Sequence, residues 1–342
     1  MKVLITGAFG NIGRSAIEEI INQGDEVRCF DIKNKKNEKI YKSLKRLYDG
    51  KIEVYWGDIT DKDKIKEALK GIDVVVHLAF IIPKLSSTGI ESEKAPDISY
   101  KINVEGTKNL VSAMQELSSP KKIIFTSSVH IYGLTQHLEP PLTVETPPSP
   151  IEHYSQHKIK CEEIIKNSGL DYCIYRLSAS FPINLKLDME MFEISLKNRM
   201  EYVHTRDVGL AIAKGVRSDK IWGKILLIGG GPRCHYYYGE MVEKILEGMG
   251  IGMLPEEAFS NKPFPTDWMD TRESQELLDY QRRTIEDYVE DLKKALGYKI
   301  FFIKLFSPVI RYVLLRKSPY YKRRYIPIKE LFKVYRKGLK LN

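Results

Sequence analysis

Short, nearly continuous apolar runs alternate with longer amphipathic stretches through the first 180 residues of the chain. Runs such as I-D-V-V-V-H-L-A and K-I-I-F-T are apolar on both faces of an extended strand, as in strands that helices cover on each side. The pattern therefore predicts a parallel sheet with helices between its strands. The predicted strands are Val3 to Thr6, Glu26 to Asp31, Glu53 to Trp56, Asp73 to Leu78, Lys122 to Thr126, Asp171 to Arg176 and Lys224 to Ile228. The predicted helices include Asn11 to Gln23, Lys62 to Lys70, Ile98 to Leu117, Ile151 to Asn167 and Gly239 to Gly248.

This alternation predicts the fold class and a division of the chain. Right-handed crossovers between parallel strands give an α/β protein with a Rossmann-type, doubly wound parallel sheet, whose ligand site lies at the carboxyl ends of the strands. We assign residues 1–180 and a returning segment, 203–230, to the domain that contains this sheet. A small C-terminal substrate-binding region is predicted from residues 181–202 and 231–298, and a basic, apolar tail from residues 299–342.

Composition is that of an ordinary globular protein, with 43% hydrophobic and 29% charged residues. The four cysteines are scattered without a C-x-x-C pair, so neither a disulfide framework nor a zinc site is expected, and a reducing compartment fits. The histidines also lack metal-ligand spacing, and we expect no metal. The N-terminus, M-K-V-L-I-T-G, is typical of a strand and a turn and not of a signal peptide, so a cytoplasmic protein is expected.

The net charge is +9, but the basic groups are concentrated near the C-terminus. Residues 293–342 hold 15 Lys and Arg and the single acid Glu330, which gives +14 and leaves −5 for the rest. A nucleic-acid-binding protein would carry its cations around the main fold, so we expect no nucleic-acid partner. The same segment is rich in large apolar residues, as in I-F-F-I-K-L-F-S-P-V-I-R-Y-V-L-L-R-K. Two interpretations stay open: the tail packs on the body or a partner subunit, or it lies on an anionic membrane surface.

A glycine-rich turn follows the first predicted strand directly. T-G-A-F-G-N-I-G places Gly7, Gly10 and Gly13 where the strand passes into a helix. Glycine permits a tight turn and close backbone approach to a pyrophosphate, while the helix N-terminus offers free N–H groups and a positive dipole end. Asp31 ends the second strand, where its carboxylate can accept hydrogen bonds from both adenosine ribose hydroxyls and repel a 2′-phosphate. We therefore predict a dinucleotide site that prefers NAD. Three nearby cations keep NADP open as an alternative: Lys33, Lys35 and Lys36.

Candidate catalytic groups fall at the ends of later elements. T-S-S at Thr126 to Ser128 closes the fifth strand, and Y-S-Q-H-K places Tyr154 and Lys158 one helical turn apart. Removing a proton from a secondary alcohol during hydride transfer requires a base, and free tyrosine, with a pKa of about 10, is a poor base at neutral pH. A nearby ammonium group, together with the positive nicotinamide ring, stabilises the phenolate and lowers this pKa. We predict that Tyr154 is the acid–base group and that Ser128 hydrogen-bonds the substrate oxygen and stabilises its changing charge. Lys158 is predicted to assist Tyr154 and to hold the nicotinamide ribose.

In their order, these motifs resemble those of the extended short-chain dehydrogenases/reductases, the NAD-dependent epimerase/dehydratase family. The resemblance continues through G-D-I at Gly57 to Ile59, H-L-A at His77 to Ala79, N-V-E-G-T at Asn103 to Thr107 and S-S-V-H-I-Y-G. Y-V-H-T-R-D-V-G resembles the segment that returns to the cofactor domain. The resemblance selects Ser128 over Ser127 and implies a catalytic set of Ser128, Tyr154, Lys158 and Asn103. The cofactor-binding residues that it implies are Gly7, Phe9, Gly10, Asn11, Ile12, Gly13, Asp31, Asp58, Ile59, Leu78, Ala79, Phe80, Asn103, Thr126, Tyr154 and Lys158.

The chain departs from this family where the substrate would bind. Phe80 stands where a second alanine usually follows H-L-A, and Ala179 stands where nucleotide-sugar epimerases commonly have asparagine. Only 25 residues separate Arg176 from Tyr202, an interval that is much longer in nucleotide-sugar enzymes and carries the loops that grip the nucleotide. The nucleotide-sugar pocket is therefore predicted to be missing or reduced.

These observations predict an NAD-dependent oxidoreductase or epimerase. Its substrate is expected to be a small or lipophilic molecule that reacts at a secondary alcohol or ketone, and the enzyme is expected to be a homodimer. A nucleotide-sugar 4-epimerase or dehydratase is the alternative enzyme. A non-catalytic NAD(P)-binding regulator is the alternative of another class, and the intact set of Ser128, Tyr154 and Lys158 argues against it.

Overall fold

A seven-stranded parallel sheet forms the centre of the molecule. In the computed structural model, residues 1–84, 89–183 and 189–322 are described. The strands in these ranges are β1 (Lys2–Thr6), β2 (Glu26–Asp31), β3 (Ile52–Trp56), β4 (Val74–His77), β5 (Lys122–Ser128), β6 (Asp171–Leu177), β7 (Arg199–Glu201), β8 (Lys224–Ile228) and β9 (His235–Tyr237). Seven of them pair in the order β3-β2-β1-β4-β5-β6-β8, with every pairing parallel. The predicted doubly wound sheet is therefore confirmed.

Helices cover both faces of this sheet, which explains why its strands are apolar throughout. One hydrophobic cluster contains Ile5 and Tyr175, and a second contains their neighbours Leu4 and Ile174. Successive side chains thus enter opposite faces, as the alternation along a strand requires. The α-helices of the described chain are α1 (Asn11–Asn22), α2 (Lys35–Leu47), α3 (Lys62–Leu69), α4 (Pro96–Tyr100), α5 (Gly106–Glu116), α6 (His153–Lys166), α7 (Thr205–Arg217), α8 (Tyr238–Gly248), α9 (Arg272–Leu278), α10 (Ile285–Leu296), α11 (Lys299–Leu305) and α12 (Ser307–Lys317).

The predicted helix from Ile98 to Leu117 is not one continuous α-helix. It begins earlier, with Pro96 in the first turn of α4, where the missing N–H of proline costs nothing. A π-helical turn, Lys101–Glu105, then separates α4 from α5. Asn103 lies in this turn, fully buried, and its side-chain amide exchanges two hydrogen bonds with the backbone of Ile81. The irregular turn therefore coincides with a polar contact to the segment that follows β4, as π turns often do at functional sites.

Two elements from beyond residue 200 complete the layers around the sheet. β8 pairs with β6, and α7 packs along α1. Gly209 on α7 permits this approach, because a Cβ there would lie 2.6 Å from the carbonyl carbon of Ser15. Both elements fall within the segment 203–230 that was predicted to return to the sheet.

A separate hydrophobic cluster lies beyond the sheet. β7 and β9 pair as an antiparallel ribbon, and α8 packs against α10. Met200 of β7, Tyr236 of β9, Met241 of α8 and Leu292 of α10 are all buried in this cluster. Residues 184–188, part of the predicted substrate-binding region, lie outside the described residues.

The described part of the predicted tail folds onto this cluster beyond the sheet. Leu314 of α12 is buried in it, and the Arg311 guanidinium donates hydrogen bonds to the carbonyl oxygens of residues 251–253. Packing on the body, one of the two interpretations of the tail, is thus observed for one side of these helices. Among the described residues, no helix is both long and apolar enough to cross a membrane. Residues 323–342 of the tail lie outside the described residues.

Candidate active site

The carboxyl ends of β1 and β4 meet where the strand order reverses, which is where open α/β sheets bind their ligands. Gly7 follows β1 with φ +67°, and a Cβ there would lie 2.7 Å from the amide nitrogen of Ala79, which follows β4. Both the backbone conformation and the contact exclude a side chain. The predicted tight turn at Gly7 is therefore present at the edge of the sheet where a ligand is expected.

α1 begins beside this turn with an uncapped N-terminus. Gly10 is the N-cap residue, no side chain caps the helix, and the first turn contains no acidic residue. The free N–H groups and the positive end of the helix dipole are therefore available to an anion. Gly13 faces the same loop, where a Cβ would lie 2.5 Å from the carbonyl oxygen of Ala8. The negative charge of a dinucleotide pyrophosphate suits the positive end of this helix. The glycine turn beside it has no room for additional side chains.

Asp31 connects the end of β2 to the glycine turn. Its Oδ2 accepts a hydrogen bond from the amide of Phe9 at 2.9 Å, and its Oδ1 accepts hydrogen bonds from the amide of Ile32 at 2.8 Å and from Asn37 Nδ2 at 3.2 Å. Burial raises the pKa of this carboxyl, and the two backbone hydrogen bonds oppose the rise. The structure thus places Asp31 against the glycine turn.

The other predicted cofactor-binding residues differ in what they can offer. The Phe9 side chain is only 2% exposed and packs on Trp56, so at this position only the backbone can face a ligand. Ile59 is also buried, whereas Asp58 is exposed and its carboxylate accepts hydrogen bonds from Thr60. The residues that are partly exposed near the glycine turn and the end of β4 are Asn11, Ile12, Leu78, Ala79 and Phe80.

The structure brings Ser128, Tyr154 and Lys158 together. Ser128 is the last residue of β5, while Tyr154 and Lys158 lie one turn apart at the start of α6. The Ser128 hydroxyl accepts a hydrogen bond from the amide of His130 at 3.2 Å, and its interaction with Tyr154 favours the ionised form of the phenol. Nζ of Lys158 donates to the carbonyl oxygen of Thr126 at 2.6 Å, so the backbone of β5 fixes the lysine.

Burial dominates the electrostatics of Tyr154 and Lys158 in the protein alone. Burial raises the pKa of Tyr154 to about 12, and the hydrogen bond with Ser128 opposes that rise only in part. Burial also lowers the pKa of Lys158, to about 7. The lysine nitrogen is bonded to Thr126 and lies 5.7 Å from the centre of the Tyr154 ring. Loss of solvation therefore outweighs the attraction between the two groups.

Asn103 helps to position this site through hydrogen bonds to other parts of the fold. Its Oδ1 accepts a hydrogen bond from the amide of Ile81 at 2.6 Å, and its Nδ2 donates to the carbonyl oxygen of the same residue at 3.0 Å. Nδ2 also lies 3.4 Å from Nδ1 of His157 on α6. With its amide occupied in this way, Asn103 connects the segment after β4 to α6, which carries Tyr154 and Lys158.

A histidine–glutamate pair beside Tyr154 is a feature that the sequence analysis missed. Nδ1 of His130 lies 2.8 Å from Oε2 of Glu152, and the His130 ring meets the rings of Tyr154 and Phe264 edge to face. The position of His130, two residues after Ser128, was a signal that could have identified it. Phe264 reaches the site from a distant part of the chain, and its sequence surroundings carry no such signal.

Glu93 holds the start of α6. Its carboxylate accepts hydrogen bonds from the amides of His153 and Tyr154 at 3.1 and 2.9 Å. A carboxylate suits this position because helix N-terminal N–H groups are unpaired and the dipole there is positive. Within the described ranges, no group of three His, Cys, Asp or Glu residues is arranged to hold a metal ion.

Comparison with known proteins gives relatives for about half of the chain. The sequence model of the NAD dependent epimerase/dehydratase family matches residues 3–184. A UDP-glucose 4-epimerase of Lactobacillus helveticus is 33% identical over 184 residues, which cover 52% of this chain and 51% of that protein. The N-acetyl-alpha-D-glucosaminyl-diphospho-ditrans,octacis-undecaprenol 4-epimerase of Escherichia coli O157:H7 is 32% identical over 172 residues, covering 48% of this chain and 43% of that protein.

The similarity in structure extends further along the chain than the similarity in sequence. The UDP-glucose 4-epimerase of Bifidobacterium longum, solved in complex with NAD+ and UDP, matches 86% of this chain and 98% of its own, with a TM-score of 0.72 and 19% identity. At this identity the likeness shows a shared fold. The chain spans about half the length of the curated relatives it matches. Because the family model matches more than half of its residues, the chain belongs to the NAD dependent epimerase/dehydratase family.

Proposed function

We propose that this chain is an NAD-dependent oxidoreductase or epimerase that acts at a secondary alcohol or ketone of a small or lipophilic substrate. The observation that carries the assignment is the meeting of Ser128, Tyr154 and Lys158 at the carboxyl end of β5, on the same edge of the sheet as the glycine turn after β1. A proton donor, a hydrogen-bonding hydroxyl and a buried cation are what reduction of a carbonyl requires at that position.

The residues that would hold NAD belong to three parts of the sheet edge. The turn with Gly7, Gly10 and Gly13 would receive the pyrophosphate, Asp31 the adenosine ribose, and Lys158 the nicotinamide ribose. NAD, when bound, supplies a carbon that accepts or returns a hydride. Asn103 acts as a positioning residue, because its amide is occupied by the backbone of Ile81.

Tyr154 is proposed to move the proton at the substrate oxygen. Its phenol is protonated at neutral pH, because burial raises its pKa to about 12, so it can donate to a carbonyl oxygen as that oxygen gains charge. The Ser128 hydroxyl holds the same oxygen beside Tyr154. In the oxidising direction the phenolate form of Tyr154 takes the alcohol proton and becomes the phenol, and Lys158, 5.7 Å from the ring centre, is the nearby cation that favours the phenolate before this transfer.

The substrate class is inferred from the side chains around Tyr154. The Phe80 ring lies edge to face with Tyr154 at a centroid distance of 5.7 Å, and His130 does so at 5.9 Å with Phe264 behind it. The rings of Phe80 and Phe264 bind apolar surfaces of a substrate and offer no charge to a diphosphate.

Arginines in the later part of the chain also support a substrate without a diphosphate. A diphosphate is normally held by guanidinium groups through paired hydrogen bonds. Three of the eight arginines from position 176 to position 283 are instead paired with buried acids of the chain itself: Arg176 with Glu162, Arg199 with Asp267, and Arg283 with Asp207. Each guanidinium is thus already neutralised.

A nucleotide-sugar 4-epimerase or dehydratase is the second candidate. The sequence similarity to a UDP-glucose 4-epimerase favours it. The undecaprenol-linked 4-epimerase is a relative whose named substrate joins a sugar diphosphate to a lipid, so it combines features of both candidates. A non-catalytic regulator is the third, and it would need no proton-transfer group.

A substrate screen with Tyr154→Phe separates these candidates. With NAD present, NADH absorbance should rise with a secondary alcohol of the right class, and Tyr154→Phe should lower turnover by about 10²-fold or more, with NAD binding retained. Retention of most activity by Tyr154→Phe would remove Tyr154 as the acid–base group. NAD binding without turnover of any alcohol, ketone or nucleotide sugar would favour the regulator. Light scattering of the same protein tests the proposed homodimer.

A further inference from the structure

α11 and α12 form an almost continuous helix with two apolar sides. The amides of Phe306 and Ile310 donate to the carbonyl oxygens of Phe302 and Phe306, so helical hydrogen bonds pass through the junction between them. One side packs on the body, where Leu314 is 2% exposed and Ile303 contacts the same hydrophobic cluster. Burial on one side would need only one apolar stripe.

The second side is exposed along its whole length. It consists of six large apolar side chains, which we call the aromatic stripe: Phe301, Phe302, Leu305, Phe306, Val309 and Val313. Their exposed fractions lie between 40% and 63%. Spacings of three and four residues place them in one row, about 18 Å long at 1.5 Å per residue. Scattered exposed apolar residues are normal on a protein surface, but a continuous row of this length marks a contact surface.

The charged residues of the segment that carries the aromatic stripe have one sign. Residues 293–322 contain eight Lys and Arg and no Asp or Glu. Lys299, Lys304 and Lys317 are exposed on these helices. Residues 323–342 add seven more cations and one acid to the sequence. The partner of this surface therefore has to be apolar and anionic together.

We propose that the aromatic stripe docks on the surface of an anionic lipid bilayer, with its apolar side chains inserted and the surrounding lysines at the headgroups. A second copy of the chain fits this surface less well. Symmetric pairing of two stripes would bring the cations of one copy against those of the other, with no acid in 293–322 to separate them. Docking of this kind does not depend on which reaction the active site catalyses.

Co-sedimentation of the full-length protein with vesicles tests this docking. Vesicles of phosphatidylcholine mixed with phosphatidylglycerol should bind it, pure phosphatidylcholine should bind it much less, and salt should weaken the binding. Phe302→Ser with Phe306→Ser should lower the partition coefficient by roughly tenfold or more, since two exposed aromatic groups no longer insert. Lys299→Glu with Lys317→Glu should lower it by a similar factor on anionic vesicles only.

Substitution is preferable to truncation here, because removing α11 and α12 would uncover the cluster on which Leu314 packs. The matched control is Leu47→Ser with Ile98→Ser, two apolar side chains that are at least as exposed elsewhere on the surface. It should bind vesicles like the wild type, and all variants should keep the wild-type melting temperature.

Three results would overturn the assignment. They are equal sedimentation with and without anionic vesicles, equal binding by the Phe302/Phe306 variant, and a wild-type dimer that this variant converts to a monomer without any change in vesicle binding. The last result would make the aromatic stripe an interface between copies of the chain.

Discussion

The ammonium nitrogen of Lys158 lies 3.6 Å from the centre of the Phe80 ring. The Phe125 ring centre is 4.8 Å away, and the carbonyl oxygen of Thr126 accepts a hydrogen bond from the same nitrogen. Ring faces and one carbonyl oxygen solvate a cation less well than water does. This environment is the physical reason that burial lowers the pKa of Lys158 to about 7.

Replacing Lys158 with methionine should stabilise the protein without added NAD, and most strongly at low pH. The lysine pKa is about 10.4 in an unfolded chain and about 7 in the fold. Between these values the unfolded chain binds more protons, so the wild-type free energy of unfolding rises with pH across this window. Lys158→Met removes that rise. Urea unfolding at about pH 6.5 and about pH 9.5 should show the advantage of the variant shrinking as pH increases.

Lys166→Met provides the control for this measurement, because Lys166 is exposed near the end of the same helix. Its pH profile should follow that of the wild type. If the difference between Lys158→Met and the wild type stayed constant with pH, the burial of a charged Lys158 would not be limiting stability.

Asp31 should determine the choice between NAD and NADP. Asp31→Asn keeps an oxygen that can accept the hydrogen bond from Phe9, but it removes the charge that repels a 2′-phosphate. NAD binding should weaken by about tenfold as a charge-assisted hydrogen bond is lost, and NADP binding should strengthen. Titration calorimetry with both dinucleotides measures the two effects.

Asp49→Asn makes the same change in net charge at an exposed position and should leave both affinities unchanged. A wild-type protein that prefers NADP would instead show that the lysines after β2 outweigh the carboxylate. Those lysines are Lys33, Lys35 and Lys36.

Gly7→Ala should cost more stability than Gly71→Ala, although both glycines have nearly the same backbone conformation. Their φ angles are +67° and +71°, so each alanine carries a strain of about 1–2 kcal/mol. A Cβ at Gly71 meets nothing within 4 Å, whereas a Cβ at Gly7 would press on the backbone of Ala79. Urea unfolding should show the larger loss for Gly7→Ala, and calorimetry should show that only this variant loses NAD affinity. Equal losses of stability would mean that β1 and β4 can move apart at little cost to accommodate the added Cβ.

UDP-glucose should produce little or no thermal stabilisation in the presence of NAD. The interval between Arg176 and Tyr202 is short, Ala179 replaces asparagine, and Arg199 is paired with Asp267. A ligand at 100 times its Kd stabilises by about 2.7 kcal/mol, which raises the melting temperature by several degrees. Added NAD alone provides the positive control. A shift of that size with UDP-glucose would support the nucleotide-sugar epimerase.

The sheet could be predicted from sequence because its strands are buried on both faces. All seven predicted strands are present, and β5 and β6 only extend further toward the site, to Ser128 and Leu177. The interruption at Lys101–Glu105 could not be predicted, because it coincides with a contact between Asn103 and Ile81, and hydrophobic periodicity does not report such contacts. Helices α10 to α12 were not predicted for a related reason, since their boundaries depend on packing in the cluster beyond the sheet.

The candidate site also contains both residues that could be predicted from sequence and residues that could not. Ser128, Tyr154 and Lys158 could be identified because strand ends and helical spacing bring them together. Phe264 comes from an irregular segment more than 100 residues further along the chain, and no local pattern links it to His130. The effect of burial on the tyrosine pKa could not be predicted from spacing, because the loss of water around the phenol depends on how the folded chain packs around it.

The contact between α1 and α7 also affects how the protein is made. Ala16, Ile17 and Ile20 of α1 are buried in the cluster to which α7 contributes, yet Thr205–Arg217 is synthesised only after β1 to β7. At cellular translation rates the interval between the two helices is roughly 10 to 40 s. For that time the apolar face of the first helix leaves the ribosome without its partner, and it is a surface that a chaperone can bind. Gly209, which lets α7 approach Ser15, is thus among the residues that end this exposure.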